Sequence, residues 1–277
     1  MKGYICYHNG KFKKESEVSI NFRDLGFQRA YGVFDYLRTY NQKPFQLKWH
    51  AKKLISSIEY MNIDIDFGES DFLSIINELF QRNIENIKNN KEYGIKTIIT
   101  GGTNGKATVV VYLEEFDDSI YDELRINGVS LLSCRVPRHS PESKNIDYKT
   151  LFKAHKQLKE KNCLEILHRG DSYVYESGTS NVFMVKNNIV ITPVDRIYQG
   201  STREFVLNLA LENNYSIEER FIEWKEFINA DEVFITASKK EILPVIKIYD
   251  GDNTLNFPVG NVTRKLISLF EIKKQDL

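Results

Sequence analysis

Polar and apolar positions alternate along residues 3–20 and break at Asn9-Gly10, the pattern of a β-hairpin. Over 47–61 (LKWHAKKLISSIEYM) and 71–88 (DFLSIINELFQRNIENIK) apolar residues instead recur at helical spacing, with Ser70-Asp71 as the N-cap of the second helix. Two strand-like runs follow, IKTIIT (95–100) and ATVVVYL (107–113), joined by GGTNGK. That connection is rich in glycine, but no helix follows it, so it reads as a hairpin and not as a phosphate loop. Hydrophobicity falls over the acidic stretch 114–126, which places a domain boundary near 120 and divides the chain into 1–120 and 121–277. The second part predicts a strand at 129–136, a helix at 149–161, and short strands at 163–168, 172–176, 181–185 and 189–192. A helix after Gly200, a strand at 215–220, a short helix at 224–229, strands at 232–236 and 241–249, and a last helix at 260–273 complete it. The expectation is two α+β units, the second with enough short strands to curl into a barrel.

Composition narrows this picture. A chain of 277 residues can build two ordinary cores. Its 38 basic and 38 acidic residues cancel, which speaks against a general attraction to nucleic acid or anionic membrane. Cys6, Cys134 and Cys163 are odd in number and widely spaced, as reduced thiols of a cytoplasmic protein are. The N-terminus lacks the apolar core of a signal peptide, and the longest apolar run, Val109 to Leu113, is too short to span a bilayer. The expectation is therefore a soluble, cytoplasmic protein. Rossmann, Walker, HExxH and GxSxG motifs are absent, and the five histidines lack metal-ligand spacing, so no metal is expected.

Four segments carry the chemistry. They are DLGFQRAYGVFDYLR (24–38) with PFQLKWHAKKL (44–54); IDYKTL (146–151); VYESGTSNVFMV (174–185); and QGSTR (199–203) with ADEVFITASKKEILPV (230–245). In this order and spacing, from about Gly10 to about Leu266, the chain resembles the class IV aminotransferases. These include branched-chain aminotransferases, D-amino-acid aminotransferases and aminodeoxychorismate lyases. The resemblance implies the pyridoxal-5′-phosphate (PLP) fold type IV, a small N-terminal α/β sandwich and a larger C-terminal pseudo-barrel, with PLP as cofactor.

It also implies roles for single residues. Lys149 matches the lysine of K-[ST]-L-N, which carries the cofactor as a Schiff base and moves the proton. Glu176 matches the glutamate of E-G-x-x-x-N, which faces the pyridine nitrogen and keeps it protonated. Gly200-Ser201-Thr202-Arg203 opens a helix and matches G-I-T-R, where the amides of Ser201 and Thr202 and the threonine hydroxyl would hold the phosphate. Ser201 and Thr202 could also be an ordinary helix cap, and both readings can hold at once. Ser238 aligns with a second phosphate-binding threonine, or is a turn serine.

Departures from the pattern lie on the substrate side. Lys53 stands where H-x-x-R-L has its phosphate arginine, which keeps the charge but loses the bidentate fork. Leu25, Arg29, Ala30 and Tyr31 break the D-R-G-F-x-[YF]-G-D-G motif. Phe34 and Arg38 are candidate pocket residues, Arg38 equally a structural partner of Asp35 or Glu176. Thr100-Gly101-Gly102 lacks the T-R-G arginine that binds the substrate carboxylate in D-amino-acid aminotransferases. The function expected is transfer of an amino group from a branched-chain or other apolar L-amino acid to a 2-oxo acid. The alternatives are an aminodeoxychorismate-type lyase and a non-catalytic descendant. The resemblance further implies a homodimer.

Overall fold

The computed structural model describes residues 3–88 and 91–275. They form two compact units, one reaching Asp117 and taking in Ser143–Asp147, the other comprising Asp118–Glu142 and the chain from Tyr148 onward.

In the first unit, β1 (Ile5–His8) and β2 (Lys11–Lys14) form the expected hairpin. Asn9 and Gly10 both have positive φ, as this turn requires. Then come α1 (Leu25–Arg29), β3 (Gly32–Tyr40), β4 (Lys43–Pro44), α2 (Leu47–Tyr60), α3 (Glu69–Arg82), β5 (Glu92–Thr103) and β6 (Lys106–Phe116). The sheet order is β2-β1-β6-β5-β3-β4, antiparallel throughout. Side chains alternate across a strand. Val33 and Leu37 of β3, Ile95 and Ile99 of β5, and Val109, Val111 and Leu113 of β6 therefore share one face, and it is packed against Leu54 and Ile58 of α2 and Phe72, Ile76 and Leu79 of α3. Leu37 and Ile76 are wholly buried, and each such side chain contributes about 1.5–3 kcal/mol by leaving water.

Two boundaries differ from the sequence expectation. The N-cap of α3 is Gly68, whose N–H donates to the Asp71 carboxylate at 2.7 Å. The helix stops at Arg82 and not at 88, because the amide of Asn83 is committed elsewhere. Its Nδ2 donates to Ile5 O (2.9 Å) and Leu79 O (2.8 Å), and its Oδ1 accepts from Ile5 N–H (2.8 Å). The end of α3 is thereby tied to β1.

The broken 24–32 motif has a local physical account. Asp24 is buried and caps α1, accepting from Gly26 N–H (2.8 Å) and from the hydroxyls of Thr100 (3.0 Å) and Thr108 (2.6 Å). A Cβ at Gly26 would lie 2.3 Å from Thr100 Cγ2, so Asp24 and Gly26 stay as the family pattern has them. Tyr31 donates its hydroxyl to Met61 O (3.0 Å) and Asn62 O (2.7 Å), fastening the start of β3 to the end of α2.

The second unit contains α4 (Asp122–Asn127), β7 (Val129–Cys134), α5 (Lys149–Lys153), α6 (His155–Glu160), β8 (Glu165–Arg169), β9 (Tyr173–Ser177), β10 (Asn181–Lys186) and β11 (Ile189–Thr192). It continues with α7 (Ser201–Glu212), β12 (Ser216–Glu219), β13 (Ile222–Glu223), α8 (Trp224–Phe227), β14 (Glu232–Ala237), β15 (Glu241–Asp250), β16 (Asn253–Asn256) and α9 (Asn261–Gln275). The single helix expected over 149–161 is two, parted at Ala154, whose N–H is shared between Thr150 O and Leu151 O. The strands form one ten-stranded sheet in the order β12-β11-β10-β14-β15-β7-β8-β9-β13, with β16 on β15. It is mixed: β11–β12, β15–β7 and β7–β8 are parallel and the other pairs antiparallel. The path from β10 round to β9 curls back on itself, since β9 also packs beside β10. This is the curled, barrel-like sheet of the expected α+β class. No helix among the described residues is long and apolar enough to cross a membrane.

Ala30 ends α1 in the left-handed conformation, φ 53° and ψ 30°, at the position where the family pattern has glycine. For a residue with a Cβ this costs about 1–2 kcal/mol. Ala30→Gly is expected to leave thermal stability unchanged or to raise it by up to about 1 kcal/mol, the relief of strain being partly offset by unfolded-chain entropy. A drop of 1 kcal/mol or more in denaturant titration would contradict the strain at this position.

Candidate functional site

Glu176 lies on β9 and is buried. Its Oε2 accepts the backbone N–H of Tyr198 at 2.9 Å. Asn181, at the start of β10, donates from Nδ2 to Tyr198 O at 2.7 Å. The two polar ends of the ESGTSN segment thus grip one residue from both sides, and that residue leads into Gly200 and α7. A Cβ on Gly200 would lie 2.4 Å from Asn181 Oδ1, so only glycine permits this close approach.

The N-terminus of α7 has the properties of an anion site. Its N-cap is Gly200, which has no side chain to cap the first turn, and Ser201 and Thr202 are buried there. The first N–H groups of a helix have no partner within the helix and point along its positive end. Thr236 pairs with Asn181 across the β10–β14 ladder and so shares its face of the sheet. Its Oγ1 is buried with no hydrogen-bond partner among the described residues. Ser238 follows in the turn between β14 and β15. Helix amides, buried hydroxyls and a glycine cradle at one end, and a buried carboxylate on the same clamped loop, fit a phosphate and a basic ring nitrogen. The residues present therefore suit PLP.

Around Glu176 lie groups that local sequence does not mark. Arg138 Nε is 3.4 Å from Glu176 Oε1, and both side chains are nearly sealed from solvent. The Tyr148 phenol is pushed up to about 12, first by burial, then by the negative charges of Glu176 and Glu165, with Arg138 opposing. Glu165 is fully enclosed and accepts from Thr179 N–H (2.7 Å), Thr179 Oγ1 (2.8 Å) and Ser180 Oγ (2.6 Å). Lys240 Nζ donates to Glu165 Oε1 at 3.0 Å, and lies 2.6 Å from Thr179 Oγ1 and 2.9 Å from Ser180 Oγ. Burial pushes the Glu165 carboxyl up, but Lys240 and the two hydroxyls outweigh it and hold it below its usual range. Lys240 thereby joins the turn holding Ser238 to the segment following Glu176. Arg203 is buried on other partners, Pro193 O (3.0 Å) and Glu219 Oε2 (2.7 Å).

Other candidates are placed as follows. Lys149 is the first residue of α5 and is exposed. Phe34, half-buried on β3, has two ammonium groups near its ring, Lys144 Nζ at 5.2 Å and Lys96 Nζ at 5.8 Å. The backbone of Lys144 is fixed in the first unit: its O accepts from Phe34 N–H (2.9 Å), and its N–H donates to Ser57 Oγ (3.3 Å). Arg38 is stacked between the rings of Tyr40 and Phe116, each 4.4 Å from its guanidinium, and is 2% exposed. Asp35, one of the acids considered for Arg38, has both oxygens 2.9 Å from His50 Nδ1. Lys53 lies on α2 of the first unit with Nζ 5.5 Å from the Trp49 ring.

The family model of amino-transferase class IV matches residues 32–248. A D-alanine aminotransferase of Bacillus licheniformis is 31% identical over 270 residues, covering 93% of each chain. A putative branched-chain-amino-acid aminotransferase of Methanocaldococcus jannaschii is 29% identical, over 96% of this chain and 94% of its own. Among solved structures, the branched-chain aminotransferase of Thermoproteus uzoniensis superposes with a TM-score of 0.85 at 21% identity, over 98% of this chain and 95% of its own.

Proposed function

The chain belongs to the class IV aminotransferases, and we propose that within this family it passes the amino group of an apolar L-amino acid, branched-chain among them, to a 2-oxo acid. The family uses PLP. The observation that carries the reading is the loop clamped by Glu176 and Asn181, which ties a buried carboxylate to an uncapped helix N-terminus. When bound, the cofactor supplies an electrophilic carbon for the amine and a ring that draws electrons from the substrate Cα. Ser201 and Thr202 would bind its phosphate through helix amides and a hydroxyl, joined by Ser238; Lys53 is a further candidate for the phosphate charge. Glu176 holds a proton at the ring nitrogen. A lysine takes the proton from Cα and returns it. Phe34 offers an apolar surface to the substrate side chain. The absence of an arginine in Thr100-Gly101-Gly102 supports the L reading.

The lysine has two candidates. Lys149 is the one that the K-T-L pattern selects. Lys144 is favoured by its surroundings: it is half-buried, its backbone is fixed on both sides, and its ammonium faces Phe34. A covalent link to the cofactor needs shelter from water and a fixed approach, and exposed Lys149 has less of both. We therefore assign the role to Lys144. Borohydride reduction of the PLP-loaded protein followed by peptide mapping is expected to place the label on Lys144. A label on Lys149 restores the pattern-based assignment, and one on neither removes both.

For the reaction, a panel of L- and D-amino acids is incubated with the loaded protein, with and without a second 2-oxo acid. Keto-acid release that needs the acceptor and favours apolar L-substrates is expected. A preference for D-alanine overturns the stereochemistry, and acceptor-independent pyruvate release points to a lyase.

A homodimer is part of the same proposal. Ile20, Phe22, Leu25 and Phe27 are 48, 68, 39 and 77% exposed. Ile20 and Phe27 line a cleft of about 280 Å³ together with Val18, Ile98, Val110 and Ile146. Exposed apolar side chains gathered beside an apolar cleft mark an interaction surface. Sedimentation equilibrium is expected to give twice the chain mass, and Phe22→Glu with Phe27→Glu to shift it to the monomer; a monomeric wild type would refute the dimer.

A further inference from the structure

The Glu176 carboxylate carries a second charge partner that a ring-nitrogen acceptor does not need. Arg138 Nε stands 3.4 Å from Oε1, while Oε2 takes the Tyr198 amide. Both side chains of the ion pair are more than nine-tenths buried, so solvent screens the interaction little. Arg138 is itself fixed, with Nη2 donating to Pro141 O at 3.0 Å. Among the described residues, Tyr148, His168 and Glu165 are titratable groups that act on this cluster. Burial lowers His168, and its Nδ1 lies 2.6 Å from Val136 O.

We propose that Arg138 is a positioning residue that sets where the proton lies in the hydrogen bond between Glu176 and the cofactor's pyridine nitrogen. This rests on the reading of Glu176 as the ring partner. That hydrogen bond has two forms. In one the proton is on nitrogen and the pair is carboxylate and pyridinium; in the other it is on oxygen and both groups are neutral. Transfer moves one proton and changes no other bond. A guanidinium in contact with the carboxylate stabilises its negative charge more than it repels a positive charge one hydrogen bond further away, because Coulomb energy falls with distance. The ion pair is therefore the favoured form. Without Arg138, the low-dielectric surroundings favour the neutral form. Arg138 thus acts on the electron-withdrawing power of the ring through Glu176.

The test uses the holoenzyme loaded with PLP labelled with ¹⁵N in the ring. In the wild type the ring nitrogen is expected to resonate at the protonated position. In Arg138→Gln it is expected to move towards the neutral position, and in Arg138→Lys to stay near the wild-type position. An unmoved resonance in Arg138→Gln overturns the proposal, as does a shift in Arg138→Lys equal to that in Arg138→Gln. Should Arg138→Gln not fold, Arg138→His titrated through the imidazole's ionisation makes the same comparison within one protein. Its resonance must then follow the imidazole charge, and one that does not overturns the proposal. Glu176→Gln separates the two levels. If it leaves the resonance at the protonated position, the ring-partner reading itself fails; if it moves the resonance and Arg138→Gln does not, only the role of Arg138 fails.

Discussion

One short loop, gripped by Glu176 and Asn181, sets the distance between a buried carboxylate and a helix terminus, the two ends at which the proposed site would hold a phosphorylated ring. Glu176 accepts the Tyr198 amide, and Asn181 donates to the Tyr198 carbonyl. Both come from strands that continue into the curled sheet, so the loop inherits the rigidity of the sheet core. Gly200 brings the chain within contact of Asn181, and α7 then starts with its amides uncapped. A side chain larger than hydrogen at 200 would break the close approach. The carboxylate and the helix terminus are thus not independent sites but two ends of one clamp.

A buried carboxylate needs partners, because an unpaired charge in a low-dielectric interior is costly. The second unit meets this twice. Glu165 is enclosed by two hydroxyls, an amide and Lys240; Glu176 is met by Arg138 and an amide. Such pairs contribute less to net stability than to geometry. The Glu165 group fixes the segment after Glu176 against the turn that holds Ser238.

The first unit shows how a motif can lose its letters and keep its shape. Asp24 and Gly26 remain because one caps α1 and the other leaves room for Thr100. Ala30 accepts a left-handed backbone that glycine would take without strain. Tyr31 replaces a polar motif residue and serves as a tether to α2. Tyr31 is explained by these hydrogen bonds inside the unit, whereas nothing in the structure explains Ala30.

The sequence by itself determined most element types, the mixed α+β class and the family, and it marked Glu176, Ser201, Thr202 and Ser238 as candidates. Periodicity, turn residues and short motifs act over a few positions, and those are legible in a linear string. It could not show that α3 ends at Arg82, since the cause is a bond from Asn83 to β1, 78 positions away. Nor could it give Lys240 its partner 75 positions away, Arg138 its carboxylate, or Arg38 its rings, because strand order and burial decide these. The choice between Lys144 and Lys149 has the same character. Five residues apart, they look alike as letters, and only the fold gives one a sheltered place beside Phe34 and leaves the other at an open helix end.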